Sequence, residues 1–186
     1  MSPSLRRTKT LALTISLALL SAAVANAALI APRDAHVVFE AAGPAGMKIE
    51  GRTSDLSVED GGGSIAIAVS LANLGTGIAL RDRHMKEKYL EVPKYPQATL
   101  TIARAALKVP ASGASTIADA PATLKLHGQT RPVTVHYDAT VDADGVAVRG
   151  KLHVRMDDFG ITIPSYLGVT VKPDVDVTAS FHVAGN

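Results

Sequence analysis

Alternation of apolar and polar residues dominates this chain and predicts β-strands. Within residues 64–73, Ile65, Ile67, Val69 and Leu71 occupy every second position, with small or polar residues between them. Successive side chains of a strand point to opposite faces, so this pattern gives one face for burial and one for water. The same alternation predicts long strands at residues 133–141, 146–156 and 175–183, and shorter ones at 36–41, 47–52, 98–104 and 123–127.

Turn-forming residues separate the predicted strands and set the fold class. The clearest turns are the three glycines of residues 61–63, residues 128–131 and the hairpin tip at 142–145. One helix is predicted, at residues 82–90, and it is too short to be stable unless it packs on the sheet or across its mouth. About eight antiparallel strands with one apolar face must stack as a sandwich or close as a barrel. Alternation alone leaves both all-β architectures open.

The first 27 residues differ from the rest and predict a secretory signal peptide. Arg6, Arg7 and Lys9 precede an apolar stretch at residues 11–23, and Ala25-Asn26-Ala27 has the small-x-small pattern of a cleavage site. The apolar stretch is shorter than the ~20 residues that span a bilayer comfortably, which favours cleavage over a retained anchor. We therefore expect a mature domain of residues 28–186 in the periplasm, with no stable membrane insertion.

Removal of this segment changes the charge of the protein. The full chain has 19 Lys and Arg against 17 Asp and Glu; the first 27 residues hold three of the basic residues and no acidic one, which leaves 16 against 17. A nearly neutral domain has no basic stripe, so a nucleic-acid partner is not expected. The chain also has no cysteine, so a hydrophobic core rather than disulfides must stabilise the exported domain.

No motif for catalysis or metal binding stands out. The serines lack a Gly-x-Ser-x-Gly context, and the adjacent carboxylates of Asp157 and Asp158 are expected to point to opposite faces of a strand end. His136, His153 and His182 fall on the polar faces of their predicted strands, where a histidine is usually solvated, and none has the spacing of a zinc motif. We predict no catalytic residue, no metal site and no cofactor.

Five motifs, in order along the chain, resemble those of the YceI-like family. Thr76-Gly77 followed by residues 81–85 (Arg-Asp-Arg-His-Met) is similar to the family's Thr-Gly-x-x-x-Arg-Asp-x-His-Leu signature. Val92 and then Tyr95-Pro96 resemble the family's return into the next strand. The remaining three matches are the opening strand at residues 36–39, the hairpin at 124–133 and the run at 155–161.

The resemblance implies an all-β fold, an antiparallel lipocalin-like β-barrel of about eight strands with one short helix. It further implies that the apolar interior binds a long isoprenoid chain, such as an isoprenoid quinone tail or a polyprenyl lipid, for transport or storage in the bacterial envelope. A homodimer is also an expectation from the family. A barrel of eight strands has room for its own side chains or one small ligand. The alternative is a stress-response or interaction module that binds another amphiphile, such as a fatty acid or a fatty amide.

We predict ten ligand-binding residues under this resemblance. They combine expected lining residues with two polar residues near the start of the predicted helix: Phe39, Ile67, Val69, Leu71, Ile78, Arg81, His84, Met85, Tyr89 and Phe159. Arg81 and His84 could donate hydrogen bonds to a quinone carbonyl or a phosphate. The alternative, which we favour, is that Asp82 caps the helix while Arg81 forms an internal ion pair that fixes the loop.

Overall fold

A computed structural model describes residues 28–30, 32–166 and 169–184, and antiparallel strands make up most of these residues. The strands are β1 (Ala28–Ile30), β2 (Arg33–Ala42), β3 (Lys48–Thr53), β4 (Leu56–Asp60), β5 (Ser64–Ser70), β6 (Gln97–Ala103), β7 (Ser115–Leu126), β8 (Gln129–Asp142), β9 (Gly145–Arg155), β10 (Ser165–Tyr166), β11 (Val169–Thr170) and β12 (Asp174–Ala184). Ten of them form one sheet, and β10 and β11 form a separate hairpin. The predicted signal peptide lies outside the described residues.

The large sheet is a nearly closed barrel, and the predicted fold class is confirmed. Its strand order is β1-β4-β5-β6-β7-β8-β9-β12-β2-β3. β1 leads into β2 and β3 leads into β4, with only two residues between the members of each pair. Because β1 pairs with β4 and β2 pairs with β3, the segment of β1 and β2 lies beside the segment of β3 and β4, which brings the two ends of the strand order together. Counting β1 with β2 and β3 with β4 as bent strands gives eight, the number expected from the sequence.

Several strand boundaries differ from the predicted ones. β4 was not predicted, because its sequence Leu-Ser-Val-Glu-Asp offers only two apolar positions. β7 begins eight residues before the predicted start at 123, through a segment rich in alanine and containing Pro121, which have little preference for strands. β5 ends at Ser70 rather than at residue 73. Leu71 lies just beyond it and is buried.

The helix begins three residues earlier than predicted. An α-helix, α1, spans Ala79–His84 and continues as a π-helical turn over Met85–Tyr89. Single 3₁₀ turns occupy Pro44–Gly46, Arg104–Ala106 and Asp157–Phe159. Over the described part of the chain, these helices all lack the length and apolar character that a bilayer crossing requires.

The connections between strands divide into two sets at opposite ends of the barrel. Neighbouring strands run in opposite directions, so the β2–β3, β5–β6, β7–β8 and β9–β12 connections lie at one end. We call this the helix end, because α1 belongs to the β5–β6 connection. The β4–β5, β6–β7 and β8–β9 connections lie at the other end.

Burial follows the alternation of the sequence. In β8, Val135, Tyr137 and Ala139 are buried while the intervening positions are exposed. The same alternation places Ala120, Ala122 and Leu124 of β7 in the interior. The apolar faces of the strands therefore line the inside of the barrel, which positions the candidate site.

Two inward-facing glycines give a matched test of interior packing. A Cβ on Gly51 would lie 2.1 Å from Cε1 of Phe39, whose ring covers this glycine, whereas a Cβ on Gly150 would lie 3.6 Å from Cγ1 of Val135, an ordinary contact. We expect Gly51→Ala to lower the free energy of unfolding by roughly 1–3 kcal/mol through overpacking. Gly150→Ala should be neutral or stabilise by up to about 1 kcal/mol. Urea denaturation of both variants tests this, and equal destabilisation by the two would contradict the described packing of Phe39.

Candidate functional site

Two clusters of buried side chains fill opposite parts of the barrel interior. The first is formed by residues of β6–β9 with two residues beyond β9: Leu100, Ile102, Ala120, Ala122, Leu124, Val135, Tyr137, Ala139, Val154, Phe159 and Ile161. The second is smaller and comprises Ala35, Val37, Leu56, Val58 and Phe181. Ile67 of β5 packs against both clusters. The centre of the candidate site therefore lies where Ile67 joins them.

The inward faces of β5 and β12 are less completely buried than those of β6–β8. The inward-facing side chains concerned are Ile65, Ile67, Val69, Val175, Val177, Ala179 and Val183, all of which are half-buried. Both strands have hydrogen-bonded neighbours on either side, so their edges are covered. We interpret the remaining accessible surface of these side chains as facing the interior. This part of the barrel is the best candidate for an apolar binding space.

Small residues stand beside this less-filled part of the interior. Gly150 of β9 pairs with Ala179 of β12 on one side and with Tyr137 of β8 on the other. Ala139 pairs with Val148 in the same layer of the sheet. A glycine and alanines at inward positions leave volume that larger side chains would occupy. An interior of this composition suits an apolar, flexible ligand rather than a polar one.

The helix end of the barrel is covered by the β5–β6 and β9–β12 connections. Tyr89 and Leu90 follow α1 and pack against the first buried cluster. Phe159, on the 3₁₀ turn after β9, is only 2% exposed and belongs to the same cluster. Leu126 and Met156 pack there as well. Aromatic and aliphatic side chains thus close this end of the interior.

His127 joins three connections at the helix end. Its Nε2 atom lies 2.8 Å from Oε2 of Glu91, and its Nδ1 atom lies 3.2 Å from the backbone oxygen of Phe159. Both partner atoms are oxygens that accept hydrogen bonds, so a ring nitrogen of His127 donates to its partner when it carries a proton. The ring of Tyr95 lies against that of His127, with 4.6 Å between centroids. His127 therefore holds the β5–β6, β7–β8 and β9–β12 connections together.

Sequence reasoning missed this cluster, although it noticed the motifs that contain it. Glu91 and His127 both have positive φ angles, of 45° and 49°, which few residues other than glycine adopt. Nothing in the alternation of the chain marks those conformations. The family-like motifs around Tyr95-Pro96 and Gly128 were the available signal, but the first predicts a return into the next strand and the second a turn, and neither predicts the contact between them.

Arg81 and Asp82 both bind Thr76, which fixes the segment before α1. Arg81 Nε donates to the Thr76 hydroxyl at 2.7 Å, and Nη2 of the same side chain donates to the Thr76 carbonyl at 3.1 Å. Asp82 Oδ1 accepts from the Thr76 backbone N–H at 2.7 Å and also from its hydroxyl. The expected helix cap is wrong, because the residue before the helix is Ile78 and it makes no side-chain cap. The expected ion pair of Arg81 is also replaced by these hydrogen bonds, which fix the loop instead.

We expect Asp82→Asn to remove a pH-dependent part of the stability. The hydrogen bonds from Thr76 lower the pKa of Asp82 below its usual value, which is about 3.9. A lowered folded-state pKa stabilises the fold above the unfolded-state value, and this contribution is lost as the pH falls through the folded value. The wild type should therefore exceed Asp82→Asn in stability at pH 5–7 and approach it below pH ~3.

Urea denaturation at several pH values measures this difference. Glu87→Gln is the matched control, since Glu87 is an exposed carboxylate on the same helical segment. The stability of this control at each pH is the baseline against which the Asp82→Asn values are compared. A difference for Asp82→Asn that is constant from pH 7 to pH 2.5 would show that the Thr76 contacts do not favour the ionised carboxylate.

The structure separates the ten predicted ligand-binding residues into three groups. Phe39, Ile67 and Val69 face the interior. Leu71, Met85, Tyr89 and Phe159 are buried or half-buried at the helix end. Arg81 is half-buried against Thr76, whereas Ile78 and His84 are exposed. Ile67, Val69, Tyr89 and Phe159 belong to the two buried clusters or pack against them. The exposed pair lies on the surface.

The histidines on the outer face make pairs with carboxylates. His136 Nδ1 lies 2.7 Å from Asp119, and His153 lies between Asp176 at 2.8 Å and Asp174 at 3.3 Å. Those two carboxylates raise the pKa of His153, Asp176 having the larger effect. Across the described ranges, no three His, Asp or Glu side chains come together in an arrangement that could hold a metal ion. The arrangement is that of solvent-exposed ion pairs, which contribute little to stability.

Comparison with known sequences identifies relatives of this chain. A family model described as the YceI-like domain matches residues 29–183. The chain is 32% identical over 123 residues to a UPF0312 protein of Pseudomonas syringae pv. tomato, and 30% identical over 122 residues to one of Pseudomonas putida strain W619. These alignments cover 61% of this chain and 59% and 60% of the two relatives. The chain therefore matches less than two thirds of their length.

Comparison with solved structures shows the same fold. A polyisoprenoid binding domain from Saccharophagus degradans, implicated in plant cell wall breakdown, superposes with a TM-score of 0.71 at 19% identity, over 85% of this chain and 98% of that domain. BcnA of Burkholderia cenocepacia superposes with a TM-score of 0.64 at 17% identity, over 81% of this chain and 96% of BcnA. A YceI protein of Campylobacter jejuni gives a TM-score of 0.55 at 16% identity, over 74% and 86% of the two chains. At these identities the likeness is one of fold.

Proposed function

Because the chain belongs to the YceI-like domain family, we propose that it binds a long-chain polyisoprenoid, such as an isoprenoid quinone tail or a polyprenyl lipid, inside its barrel without catalysis. The observation that carries this proposal is the half-buried, wholly apolar inner face of β5 and β12. Gly150 and Ala179 lie beside it and leave volume for a ligand. A structural neighbour with the same fold is itself described as a polyisoprenoid binding domain.

The apolar interior can supply enough affinity through the tail alone. A drug-sized or larger ligand retains about 0.3 kcal/mol per non-hydrogen atom after ordering costs. A tail of ~40 carbons would then bind with ~12 kcal/mol, which corresponds to a nanomolar Kd as an upper estimate. Polar contacts to a head group are therefore not needed to hold the ligand.

The residues predicted from the sequence divide between lining and closing this space. We assign Phe39, Ile67 and Val69 to the wall, in contact with the tail. Met85, Tyr89 and Phe159 would meet the tail where the helix end closes. Arg81 maintains the Thr76 loop, and His84 is exposed, so neither is assigned a contact with the buried tail.

The lack of buried polar groups favours an isoprenoid over a fatty acid. Thr53 is the one buried polar residue in the part of the chain that the structure describes. A carboxylate drawn into this interior would lose its hydration without a charged partner, which is costly. An isoprenoid tail carries no such group. The fatty acid or fatty amide of the alternative would have to leave its head outside.

The cellular role follows from the predicted signal peptide. We propose that residues 1–27 direct export and are removed, so that the protein carries or stores its lipid in the periplasm. A lipid with a long apolar tail cannot cross an aqueous compartment unaided, and an enclosed apolar interior would shield it. A homodimer that covers the mouth of the barrel is compatible with this role.

Binding to three ligands tests the proposal. Delipidated protein is titrated with an isoprenoid quinone, with a headless isoprenoid hydrocarbon of equal length and with a saturated C18 fatty acid. We expect the two isoprenoids to bind with affinities within tenfold of each other, and the fatty acid to bind at least tenfold more weakly. Absence of isoprenoid binding, or a preference for the fatty acid, would overturn the proposal in favour of the alternative cargo.

A further inference from the structure

Large apolar side chains are exposed at the helix end of the barrel. Ile78 is 53% exposed and Leu80 is 56% exposed, two positions apart at the start of α1. Met47, which is 51% exposed, lies in the β2–β3 connection at the same end. Single exposed apolar residues are common, but two so close together on one short helix need an explanation.

The segment around these residues is basic, whereas the rest of the domain is acidic. Residues 78–94 contain five Lys and Arg against three Asp and Glu, while the remainder of residues 28–186 contains 11 against 14. Arg83 and Lys88 are exposed, and Lys86 is half-buried beside them in sequence. Asp82 accepts hydrogen bonds from Thr76 and Glu91 lies against His127, and both residues are half-buried. The exposed charged residues of the segment are therefore three cations, Arg83, Lys88 and Lys94, and one carboxylate, Glu87.

We propose that this face of the helix end docks on the surface of an anionic lipid bilayer. Exposed Ile and Leu beside Lys and Arg is the combination that interfacial helices use, with the apolar side chains entering the head-group region and the cations meeting lipid phosphates. The inner side of the same connection, through Tyr89 and Leu90, covers the interior. Docking would thus bring the covered end of the barrel to the membrane that holds the cargo.

The biological purpose of the docking rests on the proposed lipid-binding function. The docking itself can be measured without any bound lipid. Only two neighbouring large apolar residues, Ile78 before α1 and Leu80 within it, are involved, so the contact is reversible and differs from stable insertion. A protein that must take up or release a membrane lipid needs such a transient contact. The helix end is where uptake would occur, because the elements that cover the interior there are the ones that touch the bilayer.

Vesicle flotation tests the docking separately from cargo binding. Protein expressed from the full-length coding sequence, with its N-terminus sequenced, is mixed with phosphatidylcholine vesicles that contain 30% phosphatidylglycerol and no isoprenoid. We expect the wild type to float with these vesicles and not with pure phosphatidylcholine, and to be released by 0.5 M NaCl. Ile78→Ser/Leu80→Ser and Arg83→Glu/Lys88→Glu should each lower the bound fraction at least fivefold.

The matched control is Val109→Ser/Ile117→Ser, which removes two apolar side chains outside the helix end that are more exposed than Ile78 and Leu80, at 65% and 71%. This control should float as the wild type does. Isoprenoid binding from detergent micelles should stay unchanged in all variants. Absence of isoprenoid binding by the wild type, with flotation as expected, would count against the proposed function and not against docking. Failure of the wild type to float, or equal flotation of the Ile78→Ser/Leu80→Ser variant, would overturn the docking proposal.

Discussion

Ile67→Asp is expected to lower the free energy of unfolding by roughly 3 kcal/mol or more, or to prevent folding. The side chain lies at the middle of β5 and packs against both buried clusters. Its neighbours across the sheet are Val58 and Leu100, both buried and apolar. A carboxylate there finds no charged partner and must be buried without hydration or take up a proton.

Ala68→Asp is the matched control, one position along the same strand on its outer face. The neighbours of Ala68 are Ser57 and Thr99, which are polar and only half-buried. We expect it to change the free energy of unfolding by less than about 1 kcal/mol. Urea denaturation of the two variants measures both values. Equal stability of Ile67→Asp and Ala68→Asp would mean that β5 does not present Ile67 to the interior.

Ala179→Phe is expected to abolish isoprenoid binding while the barrel still folds. Ala179 is a half-buried inward residue of β12, between Val37 of β2 and Gly150 of β9. A phenyl ring at this position would occupy the volume that we assign to the ligand. We expect the affinity for an isoprenoid to fall at least 100-fold. A phenyl ring forced into a filled interior would lower the free energy of unfolding by about 1–3 kcal/mol. We expect a smaller loss, because the interior here has free space.

The control for this variant is Thr178→Phe, on the outer face of the same strand. It should retain wild-type affinity, because its side chain does not enter the interior. Circular dichroism and thermal unfolding establish that both variants are folded before binding is measured. Unchanged isoprenoid binding by a folded Ala179→Phe protein would place the ligand elsewhere.

The sequence was sufficient for those parts of the fold in which apolar and polar residues alternate strictly. β9 and β12 were predicted to within one residue at each end, because apolar residues recur at nearly every second position in both. β8 was also predicted to within one residue at its end, but it begins at Gln129, four residues earlier than predicted, within the predicted turn at 128–131. The first half of β7 was not predicted. Its inward residues are three alanines, Ala118, Ala120 and Ala122, which are only weakly hydrophobic. Those alanines are held in the sheet by pairing with β8 rather than by their own strand preference.

The candidate site was harder to predict because it depends on contacts between distant segments. Residues such as Ile67 and Val69 could be placed on an inner face from alternation alone. The contacts of His127 with Glu91 and Phe159 could not be predicted in this way. They form only because the β5–β6, β7–β8 and β9–β12 connections meet at one end of the barrel. The role of Asp82 was likewise misjudged, since the start of the helix at Ala79 moves it from the cap position into the first turn.

Exposure could not be predicted for the residues before α1. Ile78 was expected to be one of the ligand-binding residues. The structure turns its side chain outward, after Gly77 adopts a φ of 79°. A single left-handed glycine thus decides which face of the next residues meets the interior, and hydrophobicity alone gives no indication of that choice.

The most direct test of the central claim is the identity of the lipid that the protein carries in its own host. The protein is purified without detergent, its mass is measured under non-denaturing conditions, and its organic extract is analysed by mass spectrometry. We predict one long-chain isoprenoid per barrel, present in the wild type and absent from Ala179→Phe. An extract of the folded wild type that contains no isoprenoid, or only fatty acids, would contradict the account.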